Sequence, residues 1–273
     1  MDIAVVGDSV DYRMNEDGTG VITSIDTREN YISRKAPKIK GAGVRGERLE
    51  QIIAANIDRT FIVSSATEPL FNNKVIDRFL VLTESAGISA QIVINKSDLV
   101  DSEVIDIWKN LYESIGYTVL ITSVKTGTGI DKLKENILEG NNLFFGHSGV
   151  GKSSLLNKLY SQLELRTGKV STFTDKGTHT TVTSIMIEAE RNKFIIDTPG
   201  IREIDPFGVS KENLGHYFVE FNKFSSECRF NTCTHHHEPG CRVIDAVEKE
   251  IISLERYESY LRLLESVEED IHF

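Results

Sequence analysis

The chain has 273 residues, 40% of them hydrophobic and 26% charged, with a formal net charge of −10. This is the composition of an ordinary globular protein; it excludes a disordered or fibrous chain, and no run approaches the roughly 20 apolar residues that a bilayer-crossing helix needs. Met1-Asp2-Ile3 carries no basic leader, so secretion is not expected and the cytoplasm is the expected compartment.

In residues 1–50, short apolar runs such as Ala4-Val5-Val6 and Gly20-Val21-Ile22 are broken by Asp and Gly, which predicts strands of a small β-module. Its end is basic: Arg28, Arg34, Lys35, Lys38, Lys40, Arg45 and Arg48 stand against Glu29 and Glu47. With Pro37, Gly41, Gly43 and Gly46 this reads as a linker, either a solvated basic loop or a face for an anionic partner.

From about Ile52 the pattern alternates between strands and helices. Thr60–Ser64, Gln91–Ile94, Thr118–Thr122, Asn142–Phe145 and Phe194–Ile196 are strand runs. Val75, Ile76, Phe79, Leu80 and Leu82 fall at helical spacing, as do Trp108, Leu111 and Ile115. The alternation predicts an α/β fold with a mostly parallel sheet covered by helices.

Four motifs sit at the ends of these strands. Asn95-Lys96-Ser97-Asp98 follows the second strand. Guanine offers two adjacent donors, N1–H and the 2-amino group, which the Asp98 carboxylate can accept together. Adenine has no donor at N1 and would leave that carboxylate unpartnered. Asn95 would meet the other edge of the base, and the Lys96 stem its face. Thr122-Ser123-Val124-Lys125 follows the third strand and can close on the guanine O6 through a backbone N–H.

Gly146-His147-Ser148-Gly149-Val150-Gly151-Lys152-Ser153, with Ser154 following, has the spacing of a phosphate-binding loop. An apolar strand precedes it and Leu155-Leu156-Asn157-Lys158-Leu159 continues it as a helix. The glycines let backbone N–H groups wrap phosphates. Lys152 would neutralise the β/γ-phosphates, and Ser153 would ligate Mg²⁺. Asp197-Thr198-Pro199-Gly200 lies at a further strand end; Asp197 can hold Mg²⁺ through water, and the Gly200 N–H can sense the γ-phosphate. Between them, residues 176–183 form a threonine-rich loop in which Thr180 or Thr181 would close on Mg²⁺, unless the loop is merely polar.

The order of these motifs is permuted. In ordinary GTPases the phosphate loop comes first; here both guanine motifs precede it. The segment after Asp197 therefore leads toward the C-terminal module rather than back into the nucleotide fold. Ile201 occupies the place where many GTPases carry a water-orienting glutamine, so slow intrinsic turnover is expected. His179 is the candidate substitute, or else a solvent-facing loop histidine.

All three cysteines lie close together, Cys228, Cys233 and Cys241, with His235 among them. Three thiolates and an imidazole make a closed, structural Zn²⁺ site, with His236 and His237 as competitors for the histidine role. Val247, Ile251, Leu254, Tyr257, Leu261 and Leu264 then form one apolar stripe, which predicts a long C-terminal helix.

The permuted motifs together with Val6-Gly7-Asp8-Ser9-Val10, Gln51–Asp58, Cys228–His235 and Glu238-Pro239-Gly240-Cys241 resemble the ribosome small subunit-dependent GTPase A family (RsgA, also called YjeQ). The resemblance implies an OB-fold-like module over 1–50, shortened here, a circularly permuted GTPase domain over 51–206 and a helical zinc-binding domain over 207–273. It implies GTP hydrolysis late in maturation of the small ribosomal subunit, stimulated by that subunit, with GTP/GDP, the subunit and its rRNA as partners. It also implies Mg²⁺ with GTP, one structural Zn²⁺, a monomer without membrane attachment, and a catalytic histidine at His179 beside Lys152. The alternative is a GTP-gated RNA-binding checkpoint in which hydrolysis only resets binding.

Overall fold

A computed structural model describes residues 3–36, 49–163, 165, 184–198 and 205–267. The centre is a sheet of β5 (Arg59–Ser65), β6 (Ala90–Asn95), β7 (Thr118–Ile121), β8 (Gly140–Gly146), β9 (Ile185–Glu190) and β10 (Lys193–Asp197), in the order β7-β6-β5-β8-β10-β9. All neighbours are parallel except β10 and β9. Helices α1 (Asn73–Ser85), α2 (Ser102–Ser114), α3 (Ile130–Asn136) and α4 (Lys152–Leu159) make the connections.

Strand β8 shows how the two faces are built. Successive side chains on a strand point to opposite faces. Phe144 accordingly stacks on Phe61 with 4.7 Å between ring centroids, in the cluster that includes Leu133 and Leu155 from α3 and α4. Its neighbour Phe145 stacks on Phe79 of α1 at 4.8 Å, in the cluster shared with α2. Both rings are fully buried.

The N-terminal residues form two separate hairpins: β1 (Val10–Met14) with β2 (Gly20–Ile25), and β3 (Tyr31–Lys35) with β4 (Glu50–Ala55). The apolar run Ala4–Val6 is not a strand. The Asp8 carboxylate accepts from the Val5 N–H at 2.8 Å, and Gly7, at φ 94°, turns the chain against β4. A Cβ on Gly7 would lie 2.0 Å from the Ala55 carbonyl oxygen, so only glycine fits. Strand β4 continues the β3 hairpin past residue 51, beyond where the helix–strand alternation begins in sequence.

The C-terminal unit packs on α1. It holds α5 (Asn222–Ser225), α6 (Arg242–Glu248) and α7 (Leu254–Ser266) around Phe218, Phe221 and Tyr260. The single long helix expected from the apolar stripe is in fact two. Glu250 takes a left-handed φ of 58°, and the Ser253 hydroxyl caps α7 by accepting from the Arg256 N–H at 3.5 Å. Ile251, counted in the stripe, is consequently exposed. Among the described residues no helix is long and apolar enough to cross a membrane.

Candidate functional site

Parallel strands deliver their C-terminal ends to one edge, and there the predicted motifs meet. Asn95 ends β6 and is buried; its Nδ2 donates to the Val150 carbonyl of the phosphate loop at 3.0 Å. Thr122, directly after β7, donates its buried hydroxyl to Asn95 Oδ1 at 3.2 Å and fixes which way that amide points. Gly151 closes the arrangement at φ 91°: a Cβ there would lie 2.5 Å from Asn95 Nδ2.

Lys96 takes a left-handed φ of 61°, and a 3-10 turn, Ser97–Leu99, follows and carries Asp98. Ser123 Oγ donates to Asp98 Oδ1 at 2.6 Å, while Lys125 Nζ stands 3.7 Å from Oδ2. The Ser123 hydrogen bond holds the Asp98 carboxyl below its usual value, against the opposing effect of burial and with added help from Lys125. Asp98 is therefore an ionised, oriented acceptor beside the strand edge. The Lys96 ammonium donates to the Glu68 carbonyl, which steers its stem along the site.

The phosphate loop joins β8 to α4, and Gly149 has a positive φ of 87°. Lys152 is buried at the helix start, where its ammonium pairs with Asp197 and donates to the Thr198 carbonyl at 3.2 Å. Asp197 ends β10, and Thr198 anchors to the Phe144 carbonyl at 3.2 Å. The ammonium and this carboxylate place one positive and one negative group side by side at the strand edge, an arrangement that could receive an anion next to a hydrated cation. His147, Ser148, Val150, Ser153 and Ser154 lie on the same loop and helix start, and Val124 on the β7 loop. His179, Thr180, Thr181, Gly200 and Ile201 fall outside the described residues.

The cysteine cluster is a second centre. The donor atoms of Cys228, Cys233, His235 and Cys241 lie within 4.8 Å of one another. His235 Nδ1 is 3.4 Å from Cys241 Sγ and 3.7 Å from Cys228 Sγ, and the two sulfurs are 3.9 Å apart. Metal–sulfur bonds of about 2.3 Å give tetrahedral edges of about 3.8 Å, which these spacings match. His236 and His237 are exposed and lie outside this cluster, whose histidine is His235. The Tyr257 hydroxyl holds the His235 carbonyl at 2.8 Å.

Burial pushes the Cys233 thiol up to about 12, raises Cys241, and lowers His235 so that its imidazole is neutral. Three sulfurs and a neutral imidazole at near-tetrahedral spacing fit a soft cation, whose charge would offset the burial that holds these thiols protonated. Backbone N–H groups of Arg242 and Ile244 already point at Cys228 Sγ and Cys241 Sγ, at 3.4 and 3.5 Å.

Part of the basic stretch is committed internally. Arg28 makes a bidentate pair with Asp8 at 2.7 and 2.9 Å, and Arg34 donates to Gln51 at 3.1 Å. Lys35 is buried. Lys38, Lys40, Arg45 and Arg48 fall outside the described residues. The sequence did not single out Thr122 as an orienting group; its place next to Ser123 at a strand end was the available signal. Nothing local pointed to the 66–71 loop that receives Lys96.

A family profile described as RsgA GTPase matches residues 25–207. A protein of Bacteroides thetaiotaomicron, called small ribosomal subunit biogenesis GTPase RsgA 2, is 41% identical over 97% of this chain and 84% of its own length. The small ribosomal subunit biogenesis GTPase RsgA of Chlorobaculum parvum is 41% identical over 98% of this chain and 86% of its own. Among solved structures, YjeQ from Thermotoga maritima matches with a TM-score of 0.75 and 33% identity, over 97% of this chain and 84% of that one. YloQ, described as a circularly permuted GTPase, matches with a TM-score of 0.72 and 27% identity, over 100% of this chain and 83% of that one.

Proposed function

The chain belongs to the RsgA GTPase family, and from that membership and the geometry of the sheet edge we propose that it hydrolyses GTP during maturation of the small ribosomal subunit. The observation that carries the nucleotide reading is the bond from Asn95 to the Val150 carbonyl, because it ties the guanine motif directly to the phosphate loop. The subunit reading rests on the names of the relatives. A cytoplasmic monomer whose hydrolysis the subunit accelerates fits both.

The proposed roles follow from chemistry. Asp98 accepts the two guanine donors, oriented by Ser123; Asn95 and Lys96 line the base; Ser123, Val124 and Lys125 close over it. Backbone N–H groups of Gly146 to Ser154 wrap the phosphates, and the helix N-terminus at Lys152 favours the charge. Lys152 turns from Asp197 to the β/γ-phosphates, and stabilises negative charge as it spreads over the transferring group. Ser153, Asp197 through water, and Thr180 or Thr181 would hold Mg²⁺, which supplies further charge neutralisation. His179 is the proposed water-positioning group and Gly200 the γ-phosphate sensor.

We assign Zn²⁺ to the Cys228, Cys233, His235 and Cys241 cluster on its donor set, in a structural rather than catalytic role, since four protein ligands leave no open position. The modules proposed are an OB-fold-like unit at 1–50, the permuted GTPase domain at 51–206 and the zinc domain at 207–273. Purified protein should hydrolyse GTP and not ATP, and Lys152→Ala should slow hydrolysis about a hundredfold or more. Equal turnover of ATP, or an unaffected Lys152→Ala variant, would remove the assignment.

A further inference from the structure

Arg256 is the largest fully buried side chain of the chain's described residues, and it belongs to no nucleotide motif. It sits on α7, with its Nε and Nη2 donating to the two Glu220 oxygens at 2.7 and 3.0 Å. Its Nη1 pairs with Asp77 Oδ1 on α1, and its guanidinium lies 4.5 Å from the Phe218 ring centroid. Tyr112 of α2 also donates to Asp77, at 2.8 Å. One cation thus faces two buried carboxylates, one on the zinc unit and one on the GTPase sheet's own helix. Next to it, Asn73 Nδ2 at the start of α1 donates to the Glu255 carbonyl at 3.2 Å.

The N-terminal turn of α1 connects this clamp to the 66–71 loop. Asn72 caps its N-terminus, accepting from the Lys74 N–H at 3.1 Å. The preceding loop, 66–71, is strapped to the guanine motif at both ends of its first half. The Ala66 N–H donates to the Asn95 carbonyl at 2.8 Å, and the Lys96 ammonium donates to the Glu68 carbonyl. Ser65 Oγ holds the Pro69 carbonyl at 2.7 Å, and Phe71 stacks on Trp108 of α2 at 4.7 Å. A packed helix moves as a body, so its position at Asp77 and the position of the loop at its N-terminus are not independent.

We propose that Arg256 is a positioning residue for guanine recognition: by clamping Asp77 it sets α1 and the 66–71 loop, and through them the Lys96 side chain that lines the base. The zinc unit and the base site are then energetically linked by a path that bypasses the γ-phosphate sensor after Asp197. The inference rests on the assignment of Asn95, Lys96 and Asp98 to the base. Because the strap touches the base motif and not Lys152, breaking it should weaken GDP and GTP alike.

The test compares GDP and GTP binding to the full chain and to Arg256→Lys, which keeps the charge but loses the fork, and to Asn73→Ala, which removes an exposed contact. Arg256→Lys should bind both nucleotides about fivefold or more weakly with an unchanged GDP-to-GTP ratio, and Asn73→Ala should shift in the same direction by less. A purely structural Arg256 would lower the melting temperature and leave the affinities of the folded protein unchanged; that result overturns the inference. Should Arg256→Lys not fold, hydrogen exchange on the wild-type protein decides. By reciprocity GDP should slow exchange of amides in α1 and α7, and slowing confined to the phosphate loop and guanine motifs overturns it. Asp98→Ala is the control for the underlying assignment: if it binds GDP normally, the base site itself is misassigned, whereas its failure with intact Arg256→Lys binding defeats only the link.

Discussion

On the roles proposed above Asp98 carries the choice of base, and its environment makes two predictions. Guanine presents donors to its two oxygens, so Asp98→Asn replaces one acceptor by a donor and opposes the 2-amino group. GTP binding should weaken roughly a hundredfold or more, while xanthosine triphosphate, which has a carbonyl at that position, should gain; paired titrations with the two nucleotides check this. The second concerns pH. The Ser123 hydroxyl is the main reason that the Asp98 carboxyl is depressed. A depressed carboxylate stays ionised above the usual carboxylate range and loses its charge only as pH falls through its lowered pKa. GDP affinity should therefore persist into mild acid and fall below that. Ser123→Ala should move that fall to higher pH, and an unmoved acid limb would assign Ser123 no part in it.

At the scale of elements, the zinc unit makes the clearest prediction. Cys233 and Cys241 belong to the same buried cluster as Phe221 and Tyr260, so a metal held by the cysteines and the small core would support each other. One equivalent of Zn²⁺ should co-purify. Cys241→Ser, or a strong chelator, should loosen α6 and α7 first, read as faster proteolysis of the C-terminal unit before the sheet unfolds. What was legible in sequence follows the same scale. The phosphate loop, the guanine motif and the cysteine cluster are each short and local, so spacing and the neighbouring strands were enough to propose them. The break between α6 and α7 was hidden because apolar residues keep helical spacing across it, while one left-handed residue, Glu250, and one cap, Ser253, decide the matter. The Arg256–Asp77 pair spans 179 positions, and no local pattern announces a partner at that distance. Ala4–Val6 failed as a strand because Asp8 and Gly7 bend it into a turn.

Over the whole molecule, permutation changes what the nucleotide can reach. Strand β10 ends at Asp197, and the chain described after Thr198, Asp205 and Pro206, bonds to the N-terminal hairpin: the Lys35 N–H donates to the Asp205 carbonyl at 2.8 Å, and Arg34 bridges Pro206. Immediately afterwards the chain enters the zinc unit. The end of β10, proposed to face the γ-phosphate, thus leads in sequence to the zinc unit past a segment bonded to the N-terminal hairpin, while α1 packs against α7 of the zinc unit. A GTPase arranged in this way can report its nucleotide state to a large partner along several surfaces at once. The lack of a glutamine at Ile201 is consistent with a chemical step that waits for that partner. The most direct measurement is GTP turnover by the purified protein alone, with small ribosomal subunits and with large ones. Small subunits should raise turnover many-fold while large subunits leave it unchanged, and equal rates in all three conditions would contradict a role on the small subunit.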